Sequence, residues 1–411
     1  MSAHVEQATT AYETASLRRN FDPADPGVHA NPAPYYRALL SGPPVQVEMG
    51  TLSTVVARYA DAQAVLRDLA RFSSVIPLQP GTERFHMFGD VKNPLWTDPP
   101  EHTRFRRLTA ASFAPRKMAA LEPRVRAMVD GLLDQIDGAG EIDLVSRFSK
   151  RLPLYFITDL LNVPESDFDV LVPLVEFSFV MNQLKPGAPL PPDFLEYGAK
   201  IRAYFGRLMD QRRSRPGDDL ISNAVAAHDV EGRISDDELF SLVMVVVLGA
   251  VPTTADMISA SVYNLLANPS QLEQVKAHPA LAAGAVEEAL RYDPPVHTTI
   301  RFSTQDCEIG GVRIAARSPV YVVMGAANRD PAQFPDPDRF DLSRNPNDHL
   351  SFGEGIHICI GAASARIQGR LAVNQLLQRF PRLRLADPQW QPVFKGSSMA
   401  RGLTALPVRV D

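Results

Sequence analysis

Apolar residues recur with a period near 3.6 along most of the chain. The repeat is clearest over residues 119–137, 198–213, 236–267, 281–292 and 361–379, and it predicts helices there. Proline-rich pieces such as DPADPG, PLPPD and FPDPDRF fall between helical patterns and read as loops, because proline lacks the amide hydrogen that a helix interior needs. Strand signals are fewer. They lie at Gln46–Arg58, where TLSTVVARY follows a glycine, and at Asp306–Met324, where apolar runs flank Gly310 and Gly311. The pattern predicts a mainly α fold with a smaller β portion.

One segment departs from the amphipathic rule. ELFSLVMVVVLGAVPTTADMISASVYNLL is apolar on nearly every side, which predicts a helix packed all round inside a large protein. Pro252 sits in its middle, where it removes an amide donor and crowds the preceding turn at a cost of about 3 kcal/mol. A break or bulge is expected there.

The 411 residues are 45% hydrophobic and 22% charged, enough to bury a large core and far from a disordered composition. No repeat or low-complexity linker divides them. The N-terminal MSAHVEQATTAYETASLRRN has no apolar centre of the kind a signal peptide or anchor needs. The most apolar run, Leu242–Val251, is about half the roughly 20 residues that span a bilayer. A soluble cytoplasmic protein is expected. A net charge of −5 argues against a general nucleic-acid binder. Cys307 and Cys359, the two cysteines, make no disulfide framework, and without a C-x-x-C pair they cannot complete a zinc or iron–sulfur site.

Cys359 nevertheless stands in unusual company, SFGEGIHICIG (351–361). Gly353 and Gly355 allow turns that a Cβ would forbid, so the peptide can wrap around the sulfur. GAASARIQGRLAV follows, small residues and then an amphipathic pattern, which sets the thiol at a helix N-terminus where dipole and free amides favour a negative sulfur. A thiolate held this way suits a metal. The plain alternative, a buried inert cysteine in a glycine-rich turn, is the commoner fate of a lone cytosolic cysteine.

The neighbours reverse that weighting. Phe352, Gly353, Gly355, His357, Cys359 and Gly361 fall in register with F-G-x-G-x-H-x-C-x-G, and the loop resembles the heme-ligating signature of cytochrome P-450. Other motifs follow in the family's order: Glu288 and Arg291 as E-x-x-R, then YDPPV, Arg301, ANRDP and FPDPDRF, with His102 and Arg106 upstream as H-x-x-x-R. The resemblance implies a P-450 fold over residues 1–411 as a single domain, the first 20 or so disordered, with heme b between a central distal helix and the proximal Cys loop and helix. It implies Cys359 as the axial iron ligand, Phe352 beside the heme, and His102, Arg106, Arg301 and His357 on its propionates. Arg339 is expected to complete a network with Glu288 and Arg291.

The central helix departs from the family's pattern. Where an acid and an alcohol usually deliver protons, the chain reads Gly249, Ala250, Val251, Pro252, Thr253. Proline relays nothing, so catalytic roles fall to Thr253 and Thr254 beside Cys359, with protons arriving through ordered water, substrate groups or a residue elsewhere. Otherwise both threonines bond back to carbonyls one turn earlier.

The resemblance implies a monooxygenase inserting one oxygen atom from O2 into a small to medium hydrophobic substrate. A peroxide-driven enzyme and a non-catalytic heme sensor are the alternatives. Pocket-facing regions map to 73–90, 176–193, 296–299 and 395–399, where His86, His297 and Ser397 are candidates to orient a polar group of the substrate. The cysteine signature lies near the C-terminus, so electrons are expected from a separate ferredoxin or flavodoxin. Arg104, Arg106, Arg107, Arg116 and Lys117, close in sequence without an acid among them, would attract such an acidic protein.

Overall fold

A computed structural model describes residues 12–77, 92–110, 112–167, 194–231 and 235–411, together with Leu171 and Pro173. His86 and the stretch 176–193 lie outside them. The chain forms two compact units, one from residues up to 77, 260–359 and 390–404, the other from 78–259, 360–389 and 405–411.

The first unit is organised by a five-stranded sheet in the order Val45–Glu48, Leu52–Val56, Pro319–Val322, Thr299–Ser303, Phe72–Ser73. Its central pair, Leu52–Val56 with Pro319–Val322, is parallel, and the other pairs are antiparallel. Val56, Val320 and Val322 are fully buried and join Tyr59, Leu66, Phe72 and Phe334 in one apolar cluster. The unit also holds two small hairpins. Cys307–Ile309 turns into Val312–Ile314 through Gly310 and Gly311, both at positive φ, the conformation that two-residue hairpin turns demand. Phe394–Gly396 pairs with Arg401–Leu403.

Residues 12–19, within the stretch expected to be disordered, are helical. Arg18 explains part of this, since its guanidinium donates to the Pro43 carbonyl at 2.6 Å.

The second unit is mostly helical, with a three-stranded sheet of Glu141–Asp143, Pro407–Arg409 and Arg384–Leu385. Its helices Glu122–Asp134 and Ala362–Arg379 are cross-linked by Arg370–Glu122 at 2.8 Å and Arg379–Asp134 at 2.7 Å. The apolar segment forms the central helix, Asp236–Ala267, of which residues 236–259 belong to this unit. Ser235 and Glu238 start it with a capping box: the Ser235 hydroxyl accepts from the Glu238 amide at 3.1 Å, and the Glu238 carboxylate from the Ser235 amide at 2.8 Å. This helix is long and apolar enough to cross a membrane, yet 61% of its apolar window is buried within the protein.

The break expected at Pro252 is absent, and the helix runs through it. Val251 and Pro252 are buried, and tight packing of Ala255 and Ile258 in the next turns holds the helical path despite one lost backbone hydrogen bond.

Glu288 and Arg291, on the helix Ala282–Tyr292, are both fully buried and paired through two hydrogen bonds of 2.8 and 2.7 Å. The third member of their network is not Arg339. That side chain is exposed, and only its carbonyl takes part, accepting from Arg291 at 3.0 Å. Arg344 fills the place instead: its Nε lies 3.2 Å from Glu288 Oε2, and the Asp341 amide and Asn347 side chain also donate to the same carboxylate. Arg291 in turn donates to the carbonyls of Asn328 and Pro337. One buried carboxylate thus folds the irregular stretch 328–347 around itself.

Removing one partner of a buried ion pair leaves an uncompensated charge. Arg344→Ala is therefore expected to cost about 3 kcal/mol, whereas Arg339→Ala stays within about 0.5 kcal/mol, as read by thermal or denaturant unfolding.

Candidate active site

In the first unit, the asparagine of ANRDP carries the network onward to the cysteine loop. Asn328 accepts the Leu350 amide at 2.7 Å and donates to Ser351 Oγ at 2.8 Å, while Ser351 donates to the Leu290 carbonyl at 2.6 Å. The loop that follows is shaped by its glycines. Gly353 and Gly355 have φ of +72° and +69°. At Gly355 there is a second demand, for a Cβ would come 2.7 Å from the Leu66 carbonyl oxygen. Residues 355–357 make one tight turn, and the chain then closes on itself through the Cys359 amide, which donates to the Phe352 carbonyl at 2.7 Å. Cys359 and Ile358 at the end of this loop are exposed. Gly361 then caps the helix Ala362–Arg379.

His357 is half-buried and its Nε2 lies 2.9 Å from Ser74 Oγ, a partner that no motif announced. Arg301 sits in the sheet strand Thr299–Ser303, 6% exposed, with its guanidinium donating to the Ile300 carbonyl at 2.9 Å.

In the second unit, His102 and Arg106 lie four residues apart on one face of the helix Glu101–Ala110, the first buried and the second half-buried. Away from its ends, the central helix is least buried from Val245 to Thr253. Gly249 is exposed there, and a Cβ on it would meet nothing within 4 Å. Thr253 Oγ1 donates to the Gly249 carbonyl at 2.6 Å, the back-bond of a mid-helix threonine. Thr254 is 5% exposed.

Three expectations change. His297 is fully buried, its Nε2 3.2 Å from the Ser397 carbonyl and its Nδ1 3.5 Å from Tyr36 Oη. It is a structural histidine rather than one displayed for a ligand. Ser397 Oγ is engaged likewise, accepting from the amides of Met399 and Ala400. The basic patch is also less bare than its sequence, because Arg104 pairs with Glu238 at 2.5 Å and Lys117 with Asp218 at 3.0 Å. Arg107 and Arg116 stay exposed.

Comparison with known proteins gives this geometry a context. The cytochrome P450 family model matches residues 200–400. 6-Deoxyerythronolide B hydroxylase of Saccharopolyspora erythraea is 38% identical over 375 residues, 88% of this chain and 91% of that protein. The chain belongs to the cytochrome P450 family. Nocardicin C N-oxygenase of Nocardia uniformis subsp. tsuyamanensis is also 38% identical, over 94% of this chain and 96% of its own. Among solved structures, a myxobacterial cytochrome P450 in complex with myristic acid superposes with a TM-score of 0.85 at 34% identity, covering 94% of this chain and 98% of that one. The mainly α fold with a smaller β part is that of the family.

As a cytochrome P450 the protein is an oxidoreductase, a monooxygenase acting on small hydrophobic substrates with O2. Its cofactor is heme, whose iron takes a cysteine thiolate as axial ligand. The residues present fit that group. An exposed thiol at the end of a glycine-shaped loop offers a soft ligand, and among the described residues no cluster of three histidines, cysteines or carboxylates offers a cage for a bare ion.

Burial pulls the His297 imidazole down to about 3, with the nearby His29 and Arg401 reinforcing the shift and the hydrogen bond to Ser397 opposing it. The buried Tyr36 hydroxyl, pushed up to about 12, stays neutral beside it. The unfolded chain takes up a proton on this ring below its ordinary 6.5, whereas the folded chain does so only near 3. Stability is then complete above about pH 6.5 and falls through the window between those values, by at most about 1.4 kcal/mol per pH unit. Unfolding measured from pH 7 to 4 should show this one-proton slope, and His297→Gln should lose it.

Proposed function

We propose that Cys359 is the axial ligand, that Arg301, His357, His102 and Arg106 hold the heme propionates, and that Phe352 packs beside the macrocycle. The observation that carries this reading is the Cys359 loop: a ten-position signature in register, with its thiol exposed and its turns fixed by glycines at positive φ. Arginine and histidine side chains suit carboxylates because their donors make charge-assisted hydrogen bonds. The heme, when bound, supplies dioxygen activation, and a thiolate ligand favours O–O cleavage. Neither unit is continuous in sequence, which supports the chain acting as one domain.

The reaction places one oxygen atom of O2 in the substrate and releases the other as water, consuming two electrons and two protons. We assign proton handling to Thr253. Its hydroxyl now donates to the Gly249 carbonyl, and a rotation of χ1 would free Oγ1 to hold a water at the least buried stretch of the helix. Pro252 cannot share this work, having no titratable group and no amide hydrogen. Thr254, its neighbour, is kept from water by burial and plays the lesser part.

Electrons come from a separate ferredoxin or flavodoxin attracted by Arg107 and Arg116, the members of the basic patch that remain exposed. The protein works in the cytoplasm. The substrate is a small to medium hydrophobic molecule of the secondary-metabolite class, and the class is supported by relatives named 6-deoxyerythronolide B hydroxylase and nocardicin C N-oxygenase.

Three outcomes are expected. Cys359→Ser abolishes the red-shifted Soret band of the reduced CO adduct and Cys307→Ser keeps it; a band surviving in Cys359→Ser overturns the ligand assignment. Thr253→Ala lowers product formed per oxygen consumed by about tenfold or more, and Pro252→Asp leaves that ratio within about twofold; unchanged coupling in Thr253→Ala removes its role. Raising salt slows reduction by a ferredoxin, and a salt-independent rate would exclude docking on the patch.

A further inference from the structure

Two buried histidines from distant parts of the chain converge on one backbone carbonyl. His29 Nε2 lies 3.0 Å and His297 Nε2 3.2 Å from the oxygen of Ser397, and the rings meet edge to face with centroids 5.7 Å apart. A carbonyl only accepts, so each Nε2 must carry hydrogen. His297 Nδ1 is then the acceptor, facing Tyr36 Oη at 3.5 Å and Thr298 Oγ1 at 3.4 Å. His29 shares its Nε2 hydrogen with the Pro23 carbonyl at 3.0 Å. The two rings are 5% and 0% exposed, so water cannot replace either bond.

Ser397 opens the tip of the hairpin Phe394–Gly396/Arg401–Leu403, its amide donating to the Ala400 carbonyl at 2.9 Å. Just before it, Gly396 lies so close to His29 that a Cβ would come 2.5 Å from the ring. Beyond the tip, the Met399 carbonyl accepts from the His297 amide at 2.9 Å, Val296 and Ala400 form a bridge, and the Arg401 amide donates to the Pro295 carbonyl at 2.9 Å. The hairpin tip and the segment 295–298 are therefore one bonded piece. That segment runs directly into the strand that carries Arg301.

We propose that His29 and His297 are a pair of positioning residues, a clamp on the Ser397 carbonyl that sets the hairpin tip and, through it, residues 296–299, and so fixes which ligands the distal pocket admits. The proposal rests on the reading above, in which 296–299 and 395–399 border that pocket. Neither histidine touches the ligand. Their effect is to hold two backbone segments at one spacing, so losing either should change the discrimination between large and small ligands rather than the chemistry.

The test uses the heme-loaded protein, His29→Phe, His297→Phe and His297→Gln. Phenylalanine keeps an aromatic ring, though a larger one, and removes the donor, and glutamine restores an amide donor of similar reach. Two quantities are read: hydrogen exchange of the backbone amides of His297, Thr298 and Met399–Arg401, and the dissociation constants of imidazole and 4-phenylimidazole from their optical shifts. Each Phe variant should speed exchange of these amides by about tenfold, the effect of one lost hydrogen bond of about 1.4 kcal/mol. It should also shift the 4-phenylimidazole constant several-fold while leaving that of imidazole within about twofold, and His297→Gln should return both towards wild type. Unchanged exchange overturns the clamp. Faster exchange with both azoles shifted equally, or neither shifted, overturns its role in selectivity. A wild-type protein whose reduced CO adduct lacks the red-shifted band would instead refute the heme-thiolate reading, and the exchange arm would still decide the clamp.

Discussion

A carboxylate without access to water has to be answered by donors from the protein, and Glu288 is answered by two guanidinium groups, a backbone amide and a side-chain amide. That requirement does more than stabilise a helix. Arg291, turned by the same pairing, gathers carbonyls from Asn328, Pro337 and Arg339, and Asn328 then fixes Leu350 and Ser351 at the mouth of the cysteine loop. A long stretch with almost no regular secondary structure is thereby given a single path. Measured as stability alone, a buried ion pair is a poor bargain against an apolar replacement. Its value here is directional, because apolar packing would not specify where each carbonyl and amide must lie.

Much of this is legible in the sequence because local rules and tertiary demands agree. The helical periods at 236–267, 281–292 and 361–379 match the observed Asp236–Ala267, Ala282–Tyr292 and Ala362–Arg379 closely, since each carries the apolar pattern of the surface it buries. The hairpin at Gly310–Gly311 announces itself because only a few residues tolerate its backbone. The cysteine loop is legible for the same reason, its glycines answering to φ and to the nearness of Leu66.

Where sequence and structure part, the deciding contact comes from far away in the chain. Arg339 and Arg344 look alike as letters, and which of them faces Glu288 depends on how the intervening turn is wound. His297 in VHTT has the look of a displayed polar residue until Tyr36, His29 and Ser397, from two other regions, close around it. Pro252 breaks its helix on a local argument, yet the packing of its neighbours outweighs the missing hydrogen bond. The bare look of RFRRLTAASFAPRK likewise dissolves once Glu238 and Asp218 arrive from other parts of the chain.

The strand order of the first unit also bears on how the protein is made. Leu52–Val56 leaves the ribosome early, yet its parallel neighbour Pro319–Val322 is synthesised about 260 residues later, a delay on the order of tens of seconds at ribosomal speed. Throughout that interval the outer backbone edge of Leu52–Val56, on the side away from Val45–Glu48, lacks its native cover, which has not yet been made.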